Sequence, residues 1–329
     1  MLPASVAASP GNSVSISTGS SPSVTIGLSH GDQLNLSYSY LLLYAEVESN
    51  GLFGMFEHTI LFGADLKNVN WNISIKDDTT YFNASFPLAP TTLRPMGFNE
   101  TLTNLTIPRN LPGFNITPEV EFSVQISIDK NVFPSLYAYN ATDSRNAANF
   151  TNLSISTLRI DNYITISKMP ISAIPYNIVL LQNLNATLNG TRGNFIGVNA
   201  NAQNFQDNRF DGFAIGSSNM IDHSKGLFWW LPNYTSNGQN YPLHYSFLRT
   251  YGALYLVFQY HGISSGTTIV QDPYFSVINE TINGLKIINQ QIHIAYEILL
   301  HNIELVSTGS VIGLLLVGVA YTSYRSKRF

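Results

Sequence analysis

The 329 residues contain no cysteine. No disulfide can staple this chain, which excludes the small secreted disulfide scaffold and leaves any stable domain dependent on a hydrophobic core. Charge is scarce as well: Asp, Glu, Lys and Arg together make up 11% of residues, less than half of the usual proportion of about a quarter. A net charge of -4 with no basic cluster before the last five residues lacks the dense Lys/Arg footprint that displaces counterions from nucleic acid, so a nucleic-acid partner is not expected. Before residue 276 no stretch keeps a period near 3.6 residues and no internal repeat stands out, which argues against alternating strands and helices. Residues 1–9 also lack the charged region and long apolar stretch of a signal peptide. Val6, Ala7 and Ala8 followed by Ser9 and Pro10 look like the small-residue end of one, so an upstream leader is expected.

What is present is apolar, aromatic and uncharged-polar. Hydrophobic residues reach 44% and aromatics 12%, enough for a sizeable core and too many for a disordered stalk. A flexible lead over 1–22 is followed by short runs rich in Tyr, Ile, Val and Phe, divided by Gly, Asn or Asp. They fall at 23–28, 34–47, 52–63, 68–76 and 79–86, then at 119–128, 153–166 and 178–188, and finally at 210–215, 226–230, 244–248, 253–261 and 267–278. In the run 119–128, Val120, Phe122, Val124, Ile126 and Ile128 alternate with Glu121, Ser123, Gln125 and Ser127. That is the pattern of a half-buried strand. The five prolines of 89–118 suggest a long exposed connection. The breaks at Met169-Pro170 and Ile174-Pro175 predict a boundary between two β-domains, 23–168 and 169–275. The expected fold is mainly β, with one or two antiparallel β-sandwich ectodomains followed by a C-terminal coiled-coil and transmembrane helix.

The C-terminal part carries a different pattern. Ile278, Ile282, Leu285, Asn289, Ile292, Tyr296, Leu299, Ile303 and Val306 are spaced alternately by four and three, the seam of a coiled coil, which predicts a stalk helix over 276–304. Asn289 falls at an a position, where a buried amide fixes register and oligomer number. Residues 305–324 contain no charge, and at about 1.5 Å per residue they span roughly 30 Å, the thickness of a bilayer core. Gly309 and Gly313 form the small-residue spacing that lets membrane helices approach. Arg325, Lys327 and Arg328 then place the tail 325–329 in the cytoplasm and everything before 305 outside the cell. Self-association as a dimer or trimer along this helix follows, through Ile282, Leu285, Asn289, Ile292, Tyr296, Leu299, Ile303, Gly309 and Gly313.

Thirteen Asn-x-Ser/Thr sequons lie on that outer side: Asn35, Asn72, Asn83, Asn99, Asn104, Asn115, Asn140, Asn149, Asn152, Asn185, Asn189, Asn233 and Asn279. Heavy N-glycosylation is expected, although an Asn-, Ser- and Thr-rich chain also makes such tripeptides by chance.

Catalytic signatures are weak. Gly262, Ser264 and Gly266 match Gly-x-Ser-x-Gly, but a nucleophile elbow needs a following helix, and 267–270 has strand character, so a hairpin loop is expected. Glu46 with Glu48, and Glu119 with Glu121, each place two carboxylates on one strand face, where a solvated face is the simpler account. Asp77-Asp78 fits a turn. Among the histidines, His30, His58, His223, His244 and His261 show no ligand spacing within one element, and His293 and His301 fall in the stalk. Asp211-Gly212-Phe213-Ala214, with Trp229, Trp230 and Tyr234 following, resembles a sugar-binding strand of legume-type lectins. A core or cross-strand ladder would produce the same aromatics. No enzyme activity, cofactor or metal is expected.

A glycan-rich, cysteine-free β ectodomain, a coiled coil, one C-terminal membrane helix and a short basic tail together resemble the membrane-anchored stalk subunit of Sulfolobales-type archaeal surface layers, the small S-layer protein. The resemblance implies a non-catalytic trimer that holds an outer protein lattice above the membrane. An envelope spike of an archaeal virus, or a surface-anchored carbohydrate-binding protein, would share the same architecture. The heptad stretch spans only about 46 Å, so the β-domains would have to supply part of the height.

Overall fold

A computed structural model describes residues 13–17, 22–28, 31–51, 54–91, 116–129, 136–140, 147–149, 155–169, 175–202, 210–217, 223–250, 253–278 and 285–288. The described chain is almost entirely strand. In order, the strands are β1 (Ser13–Ser17), β2 (Ser23–Gly27), β3 (Gln33–Gly51), β4 (Gly54–Asp65), β5 (Asn72–Lys76), β6 (Thr79–Pro87), β7 (Ala89–Pro90) and β8 (Glu119–Asp129). There follow β9 (Leu136–Asn140), β10 (Ala147–Asn149), β11 (Ile155–Lys168), β12 (Tyr176–Leu188), β13 (Thr191–Arg192), β14 (Asn194–Ala202), β15 (Phe210–Gly216) and β16 (Ser224–Trp230). The last are β17 (Asn233–Ser236), β18 (Gln239–Pro242), β19 (His244–Thr250), β20 (Ala253–Ile263), β21 (Thr268–Gln271), β22 (Pro273–Ile278) and β23 (Leu285–Ile288).

They form two sheets. One runs β19-β20-β12-β3-β2-β1-β23, with β13 beside β12, β4 beside β3 and β7 beside β4. The other runs β10-β9-β14-β15-β16-β22-β11-β21-β17-β18, with β8 on β11 and then β6 and β5. Every pairing among the described residues is antiparallel except that of β1 with β23. One continuous core fills the space between the sheets. Leu34, Leu36 and Tyr38 of β3 and Leu254, Leu256 and Phe258 of β20 meet Phe122 and Ile126 of β8, Ile160 and Ile164 of β11, and Phe228 and Trp230 of β16.

The alternation read in the sequence explains this packing. In β8 the residues Val120, Phe122, Val124 and Ile126 are buried while Glu121 is exposed. β12, flanked by β3 and β20, is buried on both faces and accordingly has apolar residues at consecutive positions. Close approach of the sheets also fixes a glycine: a Cβ on Gly226 of β16 would lie 2.5 Å from Leu34 Cδ1 of the opposite sheet.

The division into domains 23–168 and 169–275 is corrected. Both sheets draw strands from both sides of residue 169, and the described residues form one compact unit. The proline-marked break joins β11 to β12, which belong to different sheets. It is a crossover within one sandwich, and a crossover needs the same strand-breaking residues as a domain linker.

The expected start of the stalk helix changes too. Residues 276–278 belong to strand β22, where Ile278 is 2% exposed, and Leu285 opens strand β23. Of the other seam residues, Ile282, Asn289, Ile292, Tyr296, Leu299, Ile303 and Val306 lie outside the described residues, as do Gly309, Gly313 and the apolar run 305–324. Among the described residues no helix is long and apolar enough to cross a membrane.

Candidate interaction edge

The two sheets end side by side. β18 closes the second sheet and β19 the first, joined through Leu243, whose N–H donates to Pro232 O at 2.9 Å. Asn237 (φ 49°) and Gly238 (φ 80°) make the tight turn that folds β17 onto β18. Among the described residues β18 pairs only with β17, and β19 only with β20. This flank therefore presents two open strand edges.

It also presents aromatic surface. Of the five large hydrophobic residues that are exposed among the described residues, three sit here: Tyr241 at 40%, Tyr245 at 37% and Phe247 at 45%. Each is held by the core behind it. Tyr241 stacks on Tyr234 at 5.7 Å, Tyr245 meets Trp230 edge-on at 5.0 Å, and Phe247 meets Phe213 edge-on at 5.0 Å. Arg249 places its guanidinium 5.8 Å from the centre of the Phe247 ring. Rigid aromatic faces with one polar atom or cation at the rim are the usual anchors of protein interfaces, because little side-chain entropy remains to be lost on binding.

On the outer face of the second sheet lies a charged cluster. Arg159 donates from Nε to Asp161 Oδ1 at 2.6 Å and from Nη2 to Asp272 Oδ2 at 3.0 Å. It stands where β11 passes from β22 to β21 as its partner, with Asp272 between those two strands. The cluster thus ties down a branch point of the sheet. Burial raises the Asp161 carboxyl to about 6, and the neighbouring Asp272 charge adds to the shift while Arg159 opposes it. Burial raises Asp272 in the same direction against Arg159.

The sign of the resulting pH dependence follows from proton uptake. Between the ordinary carboxylate value and about 6 the folded chain holds a proton at Asp161 that the unfolded chain releases. Stability from this group is complete below the unfolded pKa and is lost as the pH rises through about 6. Asp161→Asn should therefore raise the thermal midpoint at pH 7 and flatten its dependence between pH 4 and 6. Melting curves across that range test this, and an unchanged slope would refute it.

The sequence-predicted sites fall as follows. The hairpin expected at Gly262 to Gly266 is corrected: β20 pairs with β12 and β19, β21 with β11 and β17, so this turn carries the chain from one sheet to the other, with Ser264 Oγ 3.1 Å from Thr267 Oγ1 and strand β21, not a helix, after it. Glu119 pairs with Lys168 at 2.8 Å, both well exposed, a contact of small energetic weight. Glu121 is exposed on the same strand, and Glu46 and Glu48 lie within β3. Asp77 (φ 49°) and Asp78 (φ 62°) form the turn between β5 and β6. Trp229 and Trp230 point to opposite faces of β16. Trp230 is in the core, Tyr234 is buried with it, and Trp229 is 1% exposed, donating from Nε1 to Ser276 Oγ at 2.8 Å and stacked on Tyr274 at 4.3 Å. These aromatics do not form an open sugar platform with Asp211.

Two features were not legible beforehand. The β17–β18 hairpin was missed because its strands have only four residues each, and its one signal was Asn237-Gly238. His244 and His261 come together from β19 and β20, with ring centres 5.0 Å apart. Their separation along the chain carries no ligand signature, and only the hairpin register reveals the pair.

The sequons divide by exposure. Asn72, Asn83 and Asn189 are exposed, whereas Asn35, Asn185 and Asn233 are half-buried. Asn140 and Asn149 end β9 and β10, and Asn99, Asn104, Asn115, Asn152 and Asn279 lie outside the described residues. Asn189 (φ 52°) is at the tip of the β12–β13 hairpin. Asn35 and Asn185 are partners in register across β3 and β12, and Asn72 and Asn83 across β5 and β6. Cβ atoms so paired lie about 4.5–5.5 Å apart, too close for two glycan stems. Glycopeptide mass spectrometry should find Asn189 occupied, Asn35 and Asn185 bare, and Asn72 and Asn83 never both modified in one molecule. Doubly modified peptides would contradict this.

The sequence matches no protein-family model and no curated protein. Function rests on the residues themselves.

Proposed function

We propose that this protein is a structural cell-surface glycoprotein, anchored in the membrane by residues 305–324, that oligomerises and supports an outer protein lattice. The observation that carries the proposal is the aromatic open edge of β18 and β19, set on a sandwich with one continuous apolar core. Tyr241, Tyr245 and Phe247 are presented to solvent from rigid positions, which suits docking against a neighbouring chain. Open strand edges add backbone donors and acceptors for the same purpose.

The sequence supplies the rest of the argument. The charge-free run 305–324 with basic residues after it supports an anchor with the sandwich outside the cell. Exposed sequons at Asn72, Asn83 and Asn189 support N-linked glycans on that surface. The seam beyond β23, with Asn289, and the Gly309/Gly313 pair support contact between copies at the membrane. Raised carboxyl values at Asp65, Asp161 and Asp272 favour the fold in mild acid, which suits an acidic exterior.

The edge is tested by charge. Lysine on an open strand edge opposes pairing, so Tyr241→Lys combined with Phe247→Lys should weaken association by at least tenfold, about 1.4 kcal/mol. The far-ultraviolet spectrum should remain that of a β protein. Crosslinking on intact cells reads the effect; undiminished crosslinking to the same partners would overturn the role of this edge. If the wild-type protein fractionates with virions instead of a cell-wall lattice, the spike reading replaces the stalk.

A further inference from the structure

The strand pairing that leaves β19 at an edge also builds a small histidine site on the outer face of the first sheet. His244 enters from β19, where it is the register partner of Gln259. His261 enters from β20, at the point where the pairing of β12 with β20 slips between Tyr176 and Ile178. Bulges of this kind turn a side chain out of the regular pleat. Here Gly262, with φ 68°, completes the distortion.

The bulge is held from both sides. Tyr234 Oη donates to His261 O and accepts from His261 N, both at 3.0 Å. Asn177 Oδ1 lies 3.1 Å from His261 Nδ1 and accepts from Gly262 N at 3.3 Å. An amide oxygen that accepts from a backbone N–H is also an acceptor for the ring, so Nδ1 carries the proton and donates. The lone pair of His261 is thereby left on Nε2. Metal-binding histidines are oriented in the same manner, the second ring nitrogen donating to a fixed oxygen.

The two rings stand 5.0 Å apart, centre to centre, with planes at 90°. A Zn²⁺ ion held about 2.1 Å from a nitrogen of each of two imidazoles, at a near-tetrahedral angle, separates the ring centres by about 5 Å. Both rings are exposed and open to an ion from solvent. Among the described residues no group of three or more His, Cys, Asp or Glu converges.

We propose that His244 and His261 form a two-imidazole site for a borderline divalent transition ion such as Zn²⁺, Cu²⁺ or Ni²⁺, with Asn177 fixing the tautomer of His261. Hard ions such as Ca²⁺ and Mg²⁺ prefer oxygen ligands and are not held here.

The test uses the full-length chain stripped with EDTA and titrated with zinc chloride by calorimetry. One equivalent of Zn²⁺ should bind, and calcium chloride should give no signal that depends on these histidines. In His244→Gln and in His261→Gln that equivalent should weaken at least tenfold, while His223→Gln leaves it unchanged. Copper(II) paramagnetic resonance should show nitrogen couplings from two imidazoles in the wild type and fewer in either variant. Thermal midpoints in EDTA separate binding from folding. Should His261→Gln unfold the bulge, His244→Gln decides alone, because its ring makes no backbone contact that holds a turn. A Zn²⁺ equivalent retained at full affinity in a folded His244→Gln variant would overturn the site, as would the absence of any zinc binding in the wild type.

Discussion

Trp230→Ala should destabilise the sandwich by about 3–5 kcal/mol, the cost of emptying a large aromatic site in a close-packed core. Trp230 is fully buried and touches both sheets. Within its own sheet it lies 5.8 Å from Phe228 and 6.0 Å from Phe213, and across the core 5.1 Å from Phe258 of β20 and 5.0 Å from Tyr245 of β19. The neighbours cannot collapse into the gap, since each is fixed by its own strand. The loss would also free Tyr245, so the edge would change along with the core. Urea unfolding followed by tyrosine fluorescence measures the free energy, and a loss under 1 kcal/mol would show that the sheets do not meet through this side chain. Trp229→Ala makes a useful contrast: that ring lies on the outer face, so its removal should disturb the edge far less.

The second large effect concerns polar groups inside the core. Tyr38 Oη donates to Asn162 Oδ1 at 2.6 Å, Asn162 Nδ2 donates to Gln271 Oε1 at 3.3 Å, and Tyr260 Oη donates to the same oxygen at 2.6 Å. All four residues are buried, and burial raises the phenol pKa of both Tyr38 and Tyr260. Tyr38 and Tyr260 come from one sheet, Asn162 and Gln271 from the other. Asn162→Leu should cost about 2–4 kcal/mol, because it strips a partner from two buried polar groups at once. Adding Tyr38→Phe should recover part of that loss, since no hydroxyl is then left unpaired. A double-mutant cycle in which the two changes simply add would show that the network does not couple the sheets.

The network also explains why a sandwich this long has one register. A slip of one residue turns every side chain of a strand to the other face. For β11 it would carry Asn162 out of the core and Asp161 into it. Apolar residues at consecutive positions in β12 would tolerate such a slip, and the polar pairs do not.

Much of this fold was legible locally. The predicted run 79–86 appears as Thr79–Pro87, 119–128 as Glu119–Asp129 and 253–261 as Ala253–Ile263, because period-two alternation and turn residues are properties of neighbours in sequence. What failed was non-local. Prolines at 170 and 175 mark a place where the chain leaves one sheet for the other, and nothing nearby tells a crossover from a linker. The predicted strand 267–278 is split at Asp272, since its two halves pair with different strands, β17 and β16. Ile278 fits the heptad and also fits strand β22, for an apolar residue at a given spacing belongs to whichever partner covers it.

The site followed the same division. The turn at Asp77-Asp78 was set by adjacent residues and could be read directly, whereas the turn at Gly262–Gly266 could be read as a turn but not as a passage between sheets, because its flanking strands β20 and β21 pair with distant partners. Exposure of Tyr241, Tyr245 and Phe247 depends on β18 and β19 being the last strands of their sheets, which no sequence window contains. The meeting of Arg159, Asp161 and Asp272 likewise depends on a register between β11 and the β21–β22 junction.

We propose above that this chain works as an anchored, self-associating surface element. Its most direct test is the mass of the full-length protein extracted from membranes in mild detergent, determined by light scattering with the detergent and glycan contributions subtracted. The account predicts recovery from the membrane fraction as a dimer or trimer of the 36.4 kDa chain, bound to an abundant lattice subunit. A strictly monomeric chain recovered without a membrane or a lattice partner would contradict it.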